Sequence, residues 1–407
     1  MKPPNEAAPG GGEATAGIAP GMLRQVNKSA VERLLRERGP LSRADLARLT
    51  GLAKPTIGVI VSDMLERGIV RESGAGTSTV GRRPMMLEYQ SGLEFVVGVQ
   101  VGVNRTVVMA ADSSGEAVAS MEAPPVGRDG DLTGTAMAVR ECLRRARVPR
   151  RRLAAVGVCV PGMVDFAEGV CVHAPNLGWR DVPVRARLEG LLEVPVHLTN
   201  VTHAAAVAEA EEGVARGASD VVVLYAGTGI GSGILSGGRI YRGGGGMSGE
   251  VGHCPVPGRS EPCACGKQGC LEAVAGAAAL VRAYRQARPD WRGRQAEGTL
   301  PLARAASAGD VAAAAVLAGA GVALGAGAAW LVNLFNPQVL ILAGGLMEAG
   351  DVVVEPLERT LRENALPAHL ARLKVARSEL GRDAYVRGAV LLARGQTTSH
   401  YRAVFAG

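Results

Sequence analysis

Aromatic residues are scarce: Phe, Trp and Tyr make up 3% of the 407 residues. The apolar content of 47% rests largely on Ala and Val and is ample for globular packing. The chain is too long for one ordinary core, so two or three domains are expected. The first 20 residues lack a basic start joined to an apolar block, which argues against a secretory leader. The alanine-rich stretches are expected to be interrupted by Gly and charge, so no membrane span is expected. Disulfide stapling is disfavoured as well, because seven cysteines with no secretory context suit a reducing cytoplasm. Cys142, Cys159 and Cys171 are expected to pack as small apolar side chains. No internal repeat shows at short period.

What is present centres on GEVGHCPVPGRSEPCACGKQGCLEAVAG, residues 249–276. His253, Cys263, Cys265 and Cys270 have spacings that can close a tetrahedral site, and soft N/S ligands of this kind favour Zn2+. Prolines and glycines between them leave the segment without periodicity, so a metal would supply the order that a core cannot. Unconnected loop residues or a disulfide are the alternatives, and Cys254 is a competing ligand.

Charge is unevenly placed. Residues 21–87 hold 12 Lys+Arg against 6 Asp+Glu, a net +6 in a chain of +7. Such asymmetry points to an anionic partner, nucleic acid first. Residues 1–20 are Gly/Ala/Pro/Glu-rich and read as a disordered tail. Residues 29–38 have helical spacing and stop at Gly39-Pro40. Ser42 then caps a short helix, with Asp45 completing a capping box. Gly51 allows a tight turn. A third helix from Lys54 buries Ile57, Ile60, Val61, Met64 and Leu65 on one face. Residues 69–71 and 85–87 can pair around a Gly/Ser/Thr tip. Residues 21–90 therefore read as a winged helix-turn-helix for double-stranded DNA, its last helix entering a major groove. Lys54, Thr56 and Ser62 are the polar candidates for base contact. Arg82 and Arg83, beside the rigid Pro84, suit a narrow minor groove.

From Phe95 strands and helices alternate, which predicts an α/β effector domain over residues 91–407. A buried strand ends at Pro161-Gly162, and HAPNLGW presents Asn176 in a turn. VPVHLTN delivers Asn200 ahead of an Ala-rich helix. GTGIGSG lies between two strands. Residues 277–288, 303–335, 353–363 and 383–393 should be helices, with 303–335 apolar nearly all round and buried.

GEVGH followed by CACGKQGCLE resembles the signature of the ROK family of repressors, open reading frames and sugar kinases. The resemblance extends over nearly the whole chain. It implies two α/β lobes of actin/hexokinase type, and a structural zinc on His253 and the three cysteines within a loop spanning 249–272. It implies that Asn176, Asn200, Glu250, His253 and Glu272 face a sugar. GRRP, residues 81–84, resembles the wing motif of the family's repressors. Those repressors usually carry polar residues where this chain has Gly58 and Val59. Kinases of the family carry D-x-G-G-T in their first hairpin; here Gln100 takes the Asp position, and Val103 and Asn104 end the motif. They carry N-D-A-N-A-A-A at the helix start, and the Asp that acts as general base is Val201 here. Losing a positioned base costs on the order of 10²- to 10⁴-fold in rate. The expectation is therefore a cytoplasmic, sugar-responsive transcriptional regulator, a repressor by resemblance, that acts as a homodimer or homotetramer without catalysis. The alternative is an active ATP-dependent sugar kinase with an appended DNA-binding domain.

Overall fold

The computed structural model describes residues 27–28, 30–32, 34–36, 38–66, 68–75, 83–90, 94–292 and 298–397. The expected tail, most of the wing tip and Arg82 lie outside the described residues. The chain divides into two units between Tyr89 and Gln90.

In the first unit the described residues of 27–38 are helical and stop at Gly39, whose φ is +73°. The capping box forms. Ser42 Oγ accepts from the Asp45 amide at 3.1 Å, and the Asp45 carboxylate accepts from the Ser42 amide at 3.2 Å. That cap starts the helix Arg43–Thr50, which ends at Gly51 in the left-handed region. The helix Lys54–Glu66 follows and buries Ile57, Ile60, Val61 and Met64 against Val31, Leu35, Leu46, Val70 and Leu87. Each such side chain contributes about 1.5–3 kcal/mol. Leu65 is only half-buried. Strands Val70–Ala75 and Met85–Tyr89 pair antiparallel, and Leu41–Ser42 closes the other edge.

The second unit holds two five-stranded sheets of one topology. Phe95–Val101, Thr106–Asp112 and Ala117–Ala123 run antiparallel, and Leu153–Val160 and Val196–Asn200 add in parallel. The second sheet repeats this plan. Val221–Ala226, Ile230–Ser236 and Arg239–Ile240 run antiparallel, and Val339–Ala343 and Lys374–Arg377 add in parallel. The repeat is the two-lobed plan of actin/hexokinase type that the family resemblance implied. A three-stranded flap, Met163–Asp165, Val170–Ala174 and Trp179–Val182, extends the first lobe. The helix Asp383–Thr397 packs Val386, Val390 and Ala393 on Val96, Met109 and Ala155 of the first sheet. Its Ala384 and Ala389 meet Ala204 and Ala208 of the helix Val201–Glu211.

Two expectations are corrected here. Residues 303–335 are not one helix. Leu300–Ser307 ends ahead of Gly309 at φ +91°, and Asp310 caps Val311–Phe335 by accepting from the Ala313 amide at 2.9 Å. The second helix is also a 25-residue run with no charge, long and apolar enough by composition to cross a membrane. It is instead packed along one face in the second lobe's core. A Cβ on Gly321 or Gly325 would come within 2.3 Å of Val353 O or 2.5 Å of Leu357 O, so this helix and Asp351–Asn364 lie backbone to backbone. It is not buried all round, because Val311, Val322 and Leu334 face outwards.

Candidate functional site

Asn176, Asn200, Glu250, His253 and Glu272 line one cleft of the second unit, together with Gln100, Val201, Tyr225, Thr228 and Tyr385. The cavity is about 130 Å³. One water needs about 10–15 Å³ on this scale, so the cleft suits a ligand of roughly monosaccharide size.

Each side chain arrives for a local reason. Asn200 ends the strand Val196–Asn200 and caps the next helix, its Oδ1 accepting from the Thr202 amide at 2.7 Å. Its Nδ2 donates to Gly162 O at 2.6 Å. Both ends of the amide are thus already engaged, and Asn200 ties the strand end to the Pro-Gly turn. Val201 is the first residue of the helix and faces the cleft. His203 takes no part in the lining. It is 1% exposed and stacks on Phe166 at 5.7 Å, and burial pushes its pKa down to about 4.

Glu272 lies in the first turn of Leu271–Ala275, and its Oε2 accepts from the Ile230 amide at 2.8 Å. This contact requires Gly229: a Cβ there would come within 2.6 Å of Glu272 Oε2 and 3.4 Å of Asn176 Nδ2. Burial, then the Glu272 charge, pushes the Glu250 carboxyl up to about 7. Glu250 can therefore donate or accept a hydrogen bond near neutrality.

His253 joins the cleft to the cysteine cluster. Nε2 lies 3.8 Å from Glu250 Oε2, and Nδ1 lies 3.6 Å from Cys263 Sγ. Cys265 Sγ and Cys270 Sγ are 3.7 Å apart, and the four ligand atoms lie within 4.8 Å of one another. Zn–S bonds of about 2.3 Å at tetrahedral angles place two sulfurs about 3.7 Å apart. The donor set therefore fits such an ion. Cys254 is exposed and outside the cluster, and Cys142, Cys159 and Cys171 are buried as expected.

Sequence reasoning missed Tyr225 and Tyr385. Their rings meet edge to face at 5.7 Å. Tyr225 bonds the Thr228 side chain, and a Cβ on Gly227 would come within 2.5 Å of its hydroxyl. Tyr225 lies two residues before the first glycine of the turn, a signal that could have been noticed. Tyr385 arrives from the far end of the chain and has none. Of the nucleic-acid candidates in the first unit, Lys54, Ser62 and Arg83 are exposed and Thr56 is half-buried. Val59 is 56% exposed on the same helix, an apolar residue on an outward face.

Two repeated α/β lobes and a polar cleft backed by a histidine–cysteine cluster define a sugar-kinase-like effector fold. The chain belongs to the ROK family, whose sequence profile matches residues 96–396. It is 30% identical over 376 residues to the DNA-binding transcriptional dual regulator NagC of Escherichia coli, covering 91% of this chain and 92% of that one. It is 27% identical over 385 residues to a xylose repressor of Caldicellulosiruptor bescii, covering 91% and 96%. A ROK family transcriptional regulator described as a homolog of the E. coli MLC protein superposes with a TM-score of 0.79 at 24% identity, covering 94% and 98%. A ROK family glucokinase from Streptomyces griseus, in complex with glucose and AMPPNP, superposes at 0.63 and 29% identity, covering 74% of this chain and 99% of that one.

Proposed function

We propose that this protein is a sugar-responsive transcriptional repressor whose kinase-like unit binds a sugar as effector without phosphorylating it. The single observation that carries the reading is Val201, an aliphatic side chain in a cleft that otherwise holds Asn176, Glu250, His253 and Glu272 together. Valine cannot accept a proton from an attacking hydroxyl. Carboxylates suit paired sugar hydroxyls, and their burial makes each hydrogen bond count. A xylose repressor and a DNA-binding transcriptional dual regulator each match over nine-tenths of this chain, which supports the reading.

The first unit is read as a winged helix-turn-helix over 21–90. Lys54, Thr56, Ser62 and the wing arginines Arg82 and Arg83 contact operator DNA, and Val59 suits a thymine methyl group. Zn2+ is proposed on His253, Cys263, Cys265 and Cys270. It would hold Nδ1 and leave Nε2 aimed at the sugar. Tyr225, bonded back to Thr228, favours a glycine turn kept for the fold over one that cradles a nucleotide. A homodimer or homotetramer in the cytoplasm would present paired winged units to paired half-sites. Sugar alters DNA affinity only to the extent that it binds one lobe arrangement better than another.

The test is operator binding titrated with single sugars, beside ATP turnover with the same panel. At least one sugar should change operator affinity fivefold or more, an ordinary coupling of about 1 kcal/mol, with no sugar-dependent ATP turnover. Turnover that is abolished by changing His203 would restore the kinase reading.

A further inference from the structure

The winged unit is not the only place where positive charge gathers. Residues 140–152 hold seven Arg against one Glu, a second net +6. The two segments together carry +12, so the rest of the chain carries −5. An acidic remainder rules out Arg-rich composition as a sufficient account of this cluster.

Local partners account for only part of it. Arg140 and Arg150 donate to Leu191 O and Leu192 O at 2.6 and 2.9 Å, closing the end of the helix Val184–Leu192. Arg144 and Arg145 share Glu141, and Arg150 also pairs with Glu193. Arg147 and Arg151 are exposed and make no ion pair among the described residues.

Arg147 stands where a glycine is usual. The helix Thr133–Arg145 ends with the Val148 amide donating to Leu143 O at 2.9 Å and the Arg147 amide to Arg144 O at 3.1 Å. That is the paired closure of a helix end whose left-handed residue is most often Gly. Arg147 adopts it at φ +55°, a strained position for a side chain with a Cβ. The strain is tolerated with a guanidinium directed to solvent.

Topology supplies the third observation. The exposed turn Arg150–Arg152 runs straight into Leu153, and Leu153 pairs with Phe95. Phe95 begins the strand that the chain enters from the first unit through residues 90–94. The arginine cluster therefore borders the point at which the DNA-reading unit is tethered.

We infer that Arg147 and Arg151 form a second, sequence-independent contact to the DNA phosphates that flank the operator. The inference rests on the DNA-binding reading of the first unit. Phosphate contacts add affinity and salt dependence without adding base specificity.

The test measures operator affinity of the full-length protein across a salt series. The double variant R147E/R151E should reduce the slope of log K against log[salt] by about 2 and weaken binding to operator and scrambled DNA alike. R359E/R372E makes the same charge change at two exposed arginines of the other lobe and should leave the slope in place. Equal slopes in wild type and R147E/R151E, or equal losses in both double variants, would overturn the inference. R147G keeps it testable if the charge reversal impairs folding. Gly relieves the left-handed strain, so R147G should melt higher yet bind DNA more weakly. A higher melting temperature with unchanged DNA affinity would also overturn it. Failure of the wild type to bind any DNA would instead defeat the reading of the first unit.

Discussion

Glu272 and Gly229 show how little slack the cleft has. The carboxylate is held by the Ile230 amide, in space that any β-carbon at position 229 would occupy. Gly229→Ala is expected to displace Glu272 and weaken effector binding by about tenfold or more, the loss of one or two hydrogen bonds involving a charge. Calorimetry with the matched sugar measures this, and metal content should not change. His203 makes a separate, pH-dependent prediction. Burial lowers its native pKa to about 4 from the 6.5 of a solvated imidazole, so the unfolded chain binds the proton first as pH falls. Stability from the neutral imidazole is complete above about 6.5 and is lost progressively down to about 4, with a total of order 3 kcal/mol. Denaturant melts of wild type should show that decline, and His203→Phe should flatten it. These two residues were unequally legible. Glu272 sits in a motif. His203 is covered in part by Phe166, which arrives from the flap.

At the level of elements, the cysteine loop and the first capped helix make opposite demands. The loop's strand pairing is limited to two isolated bridges, Pro255 with Cys270 and Pro262 with Gln268, so its order should depend on the ion. Cys265→Ser is expected to lose bound zinc and, through His253, to lower sugar affinity at least tenfold, the usual scale for a misoriented ligand group. Elemental analysis beside calorimetry checks both halves. Retained sugar affinity in a zinc-free protein would remove the link between cluster and cleft. The helix Arg43–Thr50 depends instead on Ser42, and Ser42→Ala should destabilise the first unit by about 1 kcal/mol. Chemical denaturation followed by operator binding measures it. The capping box was readable because its whole geometry lies within four residues. The break at Gly309–Asp310 was equally local but was outweighed by the surrounding alanine-rich run.

Across the whole molecule, one plan is used twice. Both sheets place three antiparallel strands before two parallel ones, and the helix Asp383–Thr397 returns to the first sheet. The cleft therefore depends on segments from Gln100 to Tyr385. A sugar that binds the folded unit at 100 times its Kd should stabilise it by about 2.7 kcal/mol. The melting transition of the effector unit should rise by roughly 5 °C, judged from the usual scaling with size. Differential scanning calorimetry should show the first unit's transition unmoved. A shift of both transitions together would mean that the two units melt as one.

The sequence by itself determined whatever is carried by short spacings. These are the cluster of one histidine and three cysteines, the capped helix, the core-facing stripe of the helix after it, and the α/β alternation. Tertiary structure decided which of these meet. It brought Tyr385 opposite Tyr225, turned the two nitrogens of His253 towards different partners, engaged both ends of the Asn200 amide, and left an uncharged 25-residue helix half covered in a lobe core. The reason is physical. Hydrogen-bond caps and helical stripes are satisfied within a few residues, whereas burial, desolvation and aromatic contact depend on chain segments hundreds of positions apart.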